Sequence, residues 1–247
     1  MSGILKIKND RQQEVAKRCS CVLPSNVGWL QYKLNQEELD HVWKCVDYSD
    51  TLRVAAGTKV NEMTSTLAGN ISASYALEDK NSWFFKNTLL HLTQVYANQF
   101  RNNGWDVPVL KSHPYILKDW WVNYQYQHEF NPVHTHGGVY SFVIWLKIPT
   151  EYEDQNKNIA TNSPLKSTFV FNYSNLLGEI KSYDYQLGKE FEGTLLFFPS
   201  KLNHQVYPFY NCDEDRISIS GNIFLDETYT VDDSEESKNQ GGVWLMP

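Results

Sequence analysis

The spacing of apolar residues along the chain changes character near Pro114. Before it, apolar positions recur three and four residues apart. Over residues 35–48, Leu39, Val42, Trp43 and Val46 fall on one stripe of a helix. Asn35 can cap its start, and Glu37 and Glu38 suit a first turn whose free N–H groups favour negative charge. Over residues 81–102, Phe85, Leu89, Leu92 and Tyr96 share a face, and Asn103-Gly104 supplies a stop. Residues 67–75 fit neither period. After Pro114 the runs shorten and alternate, and they predict strands at 120–127, 139–148, 167–173, 193–198, 204–208 and 215–225. Val143, Trp145 and Leu146 leave no polar face, which predicts a central strand. The polar insert 151–164 predicts a loop. Helices first and short strands later predict the α+β class in one domain, 1–247. A mainly helical part, 1–114, buttresses a β-jelly roll, 115–225, and an acidic tail, 226–247, follows.

The composition is that of a globule with a sizeable core: 41% hydrophobic and 14% aromatic over 247 residues. The 22 basic and 29 acidic side chains leave a net charge of −7, which argues against a general nucleic-acid binder. No run approaches 18 apolar residues, so no membrane helix is expected. The first ten residues lack the apolar stretch of a secretory signal. Cys19 and Cys21 are one residue apart rather than two, which is not a CxxC site. With Cys45 and Cys212 they read as free thiols of a cytoplasmic protein. Near the end, Val243, Trp244, Leu245 and Met246 follow Gly241-Gly242, and this apolar cluster is expected to fold back on the body.

Three of the seven histidines are placed for chemistry. His134 and His136 are two apart, so an extended backbone projects both imidazoles to one face. His204 lies 68 residues on, after an apolar run and Pro199. Two ligands on one strand plus a distant histidine is the sequence form of a facial metal triad with open positions. Arg216 follows His204 by 12 residues, and Ser218 shares its strand face. A guanidinium beside a hydroxyl suits a carboxylate.

With these residues the chain resembles the iron(II)- and 2-oxoglutarate-dependent oxygenases, and within them a prolyl-hydroxylase-like branch with bacterial and phage-encoded members. The resemblance covers roughly residues 115–225. It rests on Trp121-Val-Asn123, on His134-Thr-His136, on the apolar strand after Tyr140-Ser141, on Gly193-Thr-Leu-Leu-Phe-Phe-Pro199 with His204, and on Arg216-Ile-Ser-Ile-Ser-Gly-Asn222. It implies Fe(II) held by His134, His136 and His204, with 2-oxoglutarate and O2 as co-substrates. The C5 carboxylate of 2-oxoglutarate would meet Arg216 and Ser218. Asn123 resembles the co-substrate-binding asparagine of the nucleic-acid demethylase branch, and Gln125 shares its face. Hydroxylation of a protein or small-molecule substrate would release succinate and CO2. The family usually has a carboxylate where His136 stands. So His136 is a ligand, or Glu129 or water completes the site, or a halide does, as in the halogenase branch. Two other classes compete: a non-catalytic jelly-roll module, structural or carbohydrate-binding, and a three-histidine cupin-type metalloenzyme that needs no co-substrate.

Overall fold

A computed structural model describes residues 9–20, 28–56, 62–101, 107, 113–157 and 163–229. Its helices are α1 (Asn9–Lys17), α2 (Gln36–Ala56), α3 (Leu90–Arg101) and α4 (Tyr152–Lys157). Its strands are β1 (Leu30–Lys33), β2 (Ala73–Ala76), β3 (Tyr115–Gln125), β4 (Asn131–His134), β5 (Tyr140–Lys147), β6 (Thr168–Ser174), β7 (Ile180–Gln186), β8 (Thr194–Pro199), β9 (Asn203–Val206) and β10 (Arg216–Leu225). They form two antiparallel sheets, one in the order β1-β8-β5-β10-β3-β2 and the other in the order β4-β9-β6-β7. This is the mixed fold expected from the sequence: a two-sheet jelly-roll core with helices contributed by the N-terminal part.

The strand period explains the layers. On β5, Phe142, Ile144 and Leu146 join a core with Val42, Val46, Leu89 and Tyr96 of the helical layer. Val143 and Trp145 point the other way, onto Phe169 and Phe171 of β6. β8 divides likewise, Leu195 and Phe197 against Leu196 and Phe198. A strand buried on both faces must be apolar throughout, which is why β5 reads without a polar side. Each such side chain stabilises the fold by about 1.5–3 kcal/mol of burial. On β3 and β10 the helix-facing row is apolar, with Trp120, Val122 and Tyr124 beside Ile217, Ile219 and Ile223, while Trp121 is the aromatic member of the opposite row. Their other row carries Asn123 and Gln125, with Arg216, Ser218 and Ser220, and faces the space between the sheets.

α2 begins in a reciprocal cap. The Glu38 N–H donates to Asn35 Oδ1 at 3.0 Å, and the Asn35 N–H donates to Glu38 Oε2 at 2.8 Å. The same buried carboxylate accepts the hydroxyls of Tyr32 and Thr88, the latter at 2.7 Å. The helix runs eight residues past its predicted end because tertiary bonds carry it. Ser49 donates to the Ala76 carbonyl and Tyr124 to Asp50.

Several elements differ from expectation. The N-terminal part also supplies two strands, β1 on β8 and β2 on β3, at the edges of the larger sheet. At four residues each, neither is long enough to show a period. A π-helical turn, Phe85–Leu89, precedes α3. The insert expected as a loop holds α4, pinned by Gln155, whose amide pairs with both backbone groups of Tyr210. Cys19, Cys45 and Cys212 are free thiols. Among the described residues no helix is long and apolar enough to cross a membrane. The apolar cluster at 243–246, the stop at Asn103-Gly104 and Cys21 lie outside the described residues.

Candidate metal and co-substrate site

His134 ends β4 and is the cross-strand partner of His204 on β9. His136 lies beyond the strand end, fixed by its N–H to the Ser200 carbonyl at 2.9 Å. Gly138 makes the reversal into β5 possible. Its φ is +84°, and a Cβ there would sit 2.6 Å from the Ile223 carbonyl oxygen. The three rings converge with centroids 4.2–4.9 Å apart, and one nitrogen of each lies within 4.8 Å of the others.

Backbone carbonyls set the tautomers. His134 Nδ1 donates to Pro132 O at 2.7 Å and His204 Nδ1 to Leu202 O at 2.9 Å. Both Nε2 lone pairs are thereby left for a cation, the arrangement that metal-binding imidazoles use. Burial lowers all three pKa values. His134 falls below its ordinary value, and His136 reaches about 4, with His134 and Lys201 adding to burial. His204 falls well below, from burial and its two neighbours. All three are neutral at pH 7, the state that ligates metal.

The His136–His204 pair fits a divalent ion. His136 Nε2 and His204 Nε2 are 3.1 Å apart. Two nitrogens at that separation, each about 2.1 Å from one ion, subtend about 95° there, close to the right angle between neighbouring octahedral ligands. Glu129, weighed as a ligand, is elsewhere. Its carboxylate accepts the N–H groups of Ser72 and Tyr126.

A cavity of about 230 Å³ opens beside the histidines. Trp121, Val143, Trp145, Phe169 and Phe198 give it apolar walls, and Asn123, Gln125, Ser218 and Ser220 give it a polar one. No Asp, Glu, Lys or Arg lines it among the described residues. Asn123, cross-strand partner of Ser218, accepts the Ser74 hydroxyl at 2.7 Å. Loop residues Leu67, Ala68, Gly69 and Ile71 close one side, and a Cβ on Gly69 would meet the end of the Asn131 side chain, which would have to move.

Arg216 opens β10, the strand after His204, and is 1% exposed. Its Nε and Nη2 donate to Gln125 Oε1 at 3.1 and 2.8 Å, Nη2 also to Tyr207 O at 3.0 Å, and Nη1 to Ser167 Oγ at 3.2 Å. The Phe209 ring lies 5.1 Å from the guanidinium carbon. Among the described residues no carboxylate pairs with it, and burial alone pulls its pKa down to about 9. The guanidinium does not open onto the cavity as expected, because the Gln125 oxygen covers it. Sequence reasoning missed Ser167, Ser74 and the 67–71 loop. Ser167 is fully buried with φ +49°, a property that no local pattern in the sequence announces.

Residues 119–222 match the family model described as "Putative 2OG-Fe(II) oxygenase". No curated protein sequence matches the chain. Among solved structures it is similar to a Pseudomonas putida prolyl-4-hydroxylase, with 16% identity over 81% of this chain and 93% of that one and a TM-score of 0.42. It is also similar to AviO1 from Streptomyces viridochromogenes, with 10% identity over 83% and 92% and a TM-score of 0.47. A third is a Trichoplax adhaerens prolyl hydroxylase bound to a hypoxia-inducible-factor peptide, with 11% identity over 86% and 87% and a TM-score of 0.41. Over residues 119–222, a stretch that includes the three histidines and Arg216, the chain is similar to the 2-oxoglutarate- and iron(II)-dependent oxygenases.

Proposed function

We propose that the chain hydroxylates a protein or small-molecule substrate and releases succinate and CO2. His134, His136 and His204 hold the iron. Arg216 and Ser218 receive the far carboxylate of 2-oxoglutarate, Asn123 lines the polar wall along which it lies, and Gln125 stands at the co-substrate site between that wall and Arg216. Iron(II) with 2-oxoglutarate supplies the O2-activating chemistry, one oxygen atom entering the product hydroxyl and the other succinate. The protein's part is placement. The Nδ1–H bonds of His134 and His204 hold two ligand rings, and the aromatic walls keep bulk water from the reacting face. The uncharged lining favours an uncharged reacting group.

The observation that carries this reading is the buried, carboxylate-free Arg216 on the same strand row as Ser218, which lines the cavity beside three convergent neutral imidazoles. A cupin-type reading without co-substrate draws on the third histidine, but it gives Arg216 nothing to do. The test is anaerobic addition of Fe(II) and then 2-oxoglutarate. A weak visible charge-transfer band, followed by succinate once O2 is admitted, is expected. Bound iron without a band supports the cupin reading, and no bound iron refutes both.

A further inference from the structure

We propose that Gln125 is the gate to Arg216: its side-chain oxygen stands in for a carboxylate on the guanidinium edge, and a dicarboxylate engages Arg216 by taking over those N–H groups. The inference rests on the reading that 2-oxoglutarate binds here.

Four observations carry it. Gln125 lines the cavity and Arg216 does not. Gln125 Oε1 accepts from both Nε and Nη2, the pair of parallel donors that a carboxylate takes in a fork-to-fork contact. The amide cannot be turned over, because its Nε2 donates to the Glu129 carbonyl at 2.6 Å and a flip would aim N–H at the guanidinium. The other acceptors do not line the cavity. Tyr207 contributes a backbone carbonyl, and the Ser167 hydroxyl is tied by its own bond to the Leu187 carbonyl at 3.0 Å, on a residue with φ +49°. Gln125 is therefore the only partner of Arg216, among the described residues, that lines the cavity and stands between it and the guanidinium.

The exchange replaces a neutral oxygen by an anionic one on a buried cation, and that difference favours the co-substrate. Gln125→Glu would install a permanent anion of the same shape and close the gate. Gln125→Ala would remove the stand-in and leave two guanidinium N–H groups waiting.

Calorimetric titration into Mn(II)-loaded protein, with melting temperature as a fold control, tests this. In Gln125→Glu, 2-oxoglutarate affinity should fall by about 100-fold or more, the scale of a mispaired buried charge. Affinity for 2-oxovalerate, of equal length but lacking the far carboxylate, should stay within about 3-fold, because it never needs Arg216. Gln125→Ala should bind 2-oxoglutarate as tightly as wild type or tighter. Equal loss of both keto acids in Gln125→Glu, or unchanged 2-oxoglutarate binding there, overturns the gate. If Gln125→Glu does not fold, weaker 2-oxoglutarate binding by Gln125→Ala overturns it instead. Failure of the underlying reading looks different: wild type would not prefer 2-oxoglutarate to 2-oxovalerate, and Arg216→Ala would leave both affinities alone.

Discussion

Replacing Arg216 by Met should abolish co-substrate use while costing the fold little. Two opposing contributions set the size. The fall of the Arg216 pKa to about 9 under complete burial disfavours the charged form in the folded protein by about 5 kcal/mol, at 1.36 kcal/mol per pKa unit. Methionine relieves that cost and keeps most of the apolar stem that packs beside Phe209. Against this, Tyr207 O and Ser167 Oγ lose their donor, and Gln125 Oε1 loses two but can turn to the cavity. Two orphaned acceptors at about 1–3 kcal/mol each cost about 2–6 kcal/mol. The balance runs from about 3 kcal/mol of net stabilisation to about 1 kcal/mol of net loss, whereas breaking a buried ion pair costs about 3–5 kcal/mol. Urea unfolding of Arg216→Met and wild type at equal m reads this directly, and succinate formation from 2-oxoglutarate reads the function. A midpoint shift worth more than about 4 kcal/mol would make Arg216 a structural keystone. Undiminished succinate formation would refute its role as the carboxylate anchor.

Other outcomes follow from features already placed. Mn(II) at about 100 times its Kd should stabilise the protein by about 2.7 kcal/mol, or about 5–10 °C in Tm for a chain of this size. His204→Gln, which keeps volume among Phe169 and Phe198, should erase that rise; a persisting rise would move the metal elsewhere. Glu38→Gln should cost about 1.5–3 kcal/mol in urea, because one amide oxygen cannot serve Asn35 N–H, Tyr32 and Thr88 together. An unmoved midpoint would show the cap to be dispensable. Burial, with Asp79 and Glu78 nearby, pushes the Cys45 thiol up to about 12. Iodoacetamide at pH 8 should therefore modify exposed Cys19 and spare Cys45 until unfolding, and early labelling of Cys45 by mass spectrometry would contradict this.

What the sequence made legible was what recurs with a period. The stripes of α2 and α3 and the doubly apolar β5 were readable because burial acts on every third, fourth or second residue. The histidines were readable because their spacing is itself geometric. β1, β2, β4 and β7 were not: the first three hold too few repeats in four residues, and β7 is exposed along nearly its whole length, so burial imposes no period on it. Reading His134 and His136 as one strand's pair was only half of the geometry. β4 stops at His134, and the Ser200 carbonyl and the Gly138 turn bring His136 back to the cluster. Arg216 was legible as an anchor, but its cover was not. The contact with Gln125 spans 91 positions and depends on rotamers that no local pattern fixes.

The alternation on β3 and β10 has a consequence for how the molecule tolerates change. On β10, Ser218 and Ser220 border the cavity, while Ile217, Ile219 and Ile223 hold the helices. On β3 the frame is reversed from Trp120 to Gln125, and near Lys118 the register slips, so Leu117 and Tyr115 pack where even numbers pack further along. Numerical parity thus separates two kinds of heritable variation within one ribbon of backbone. A mutational library confined to 218 and 220 should retune selectivity with little effect on expression, and one confined to 120, 122, 219 and 223 should do the opposite. Deleting one residue between 119 and 124 transposes the two sets, sending Trp120 toward the iron and Asn123 into the helical core. Among small lesions in this strand, a single-codon deletion should therefore be more damaging than any substitution.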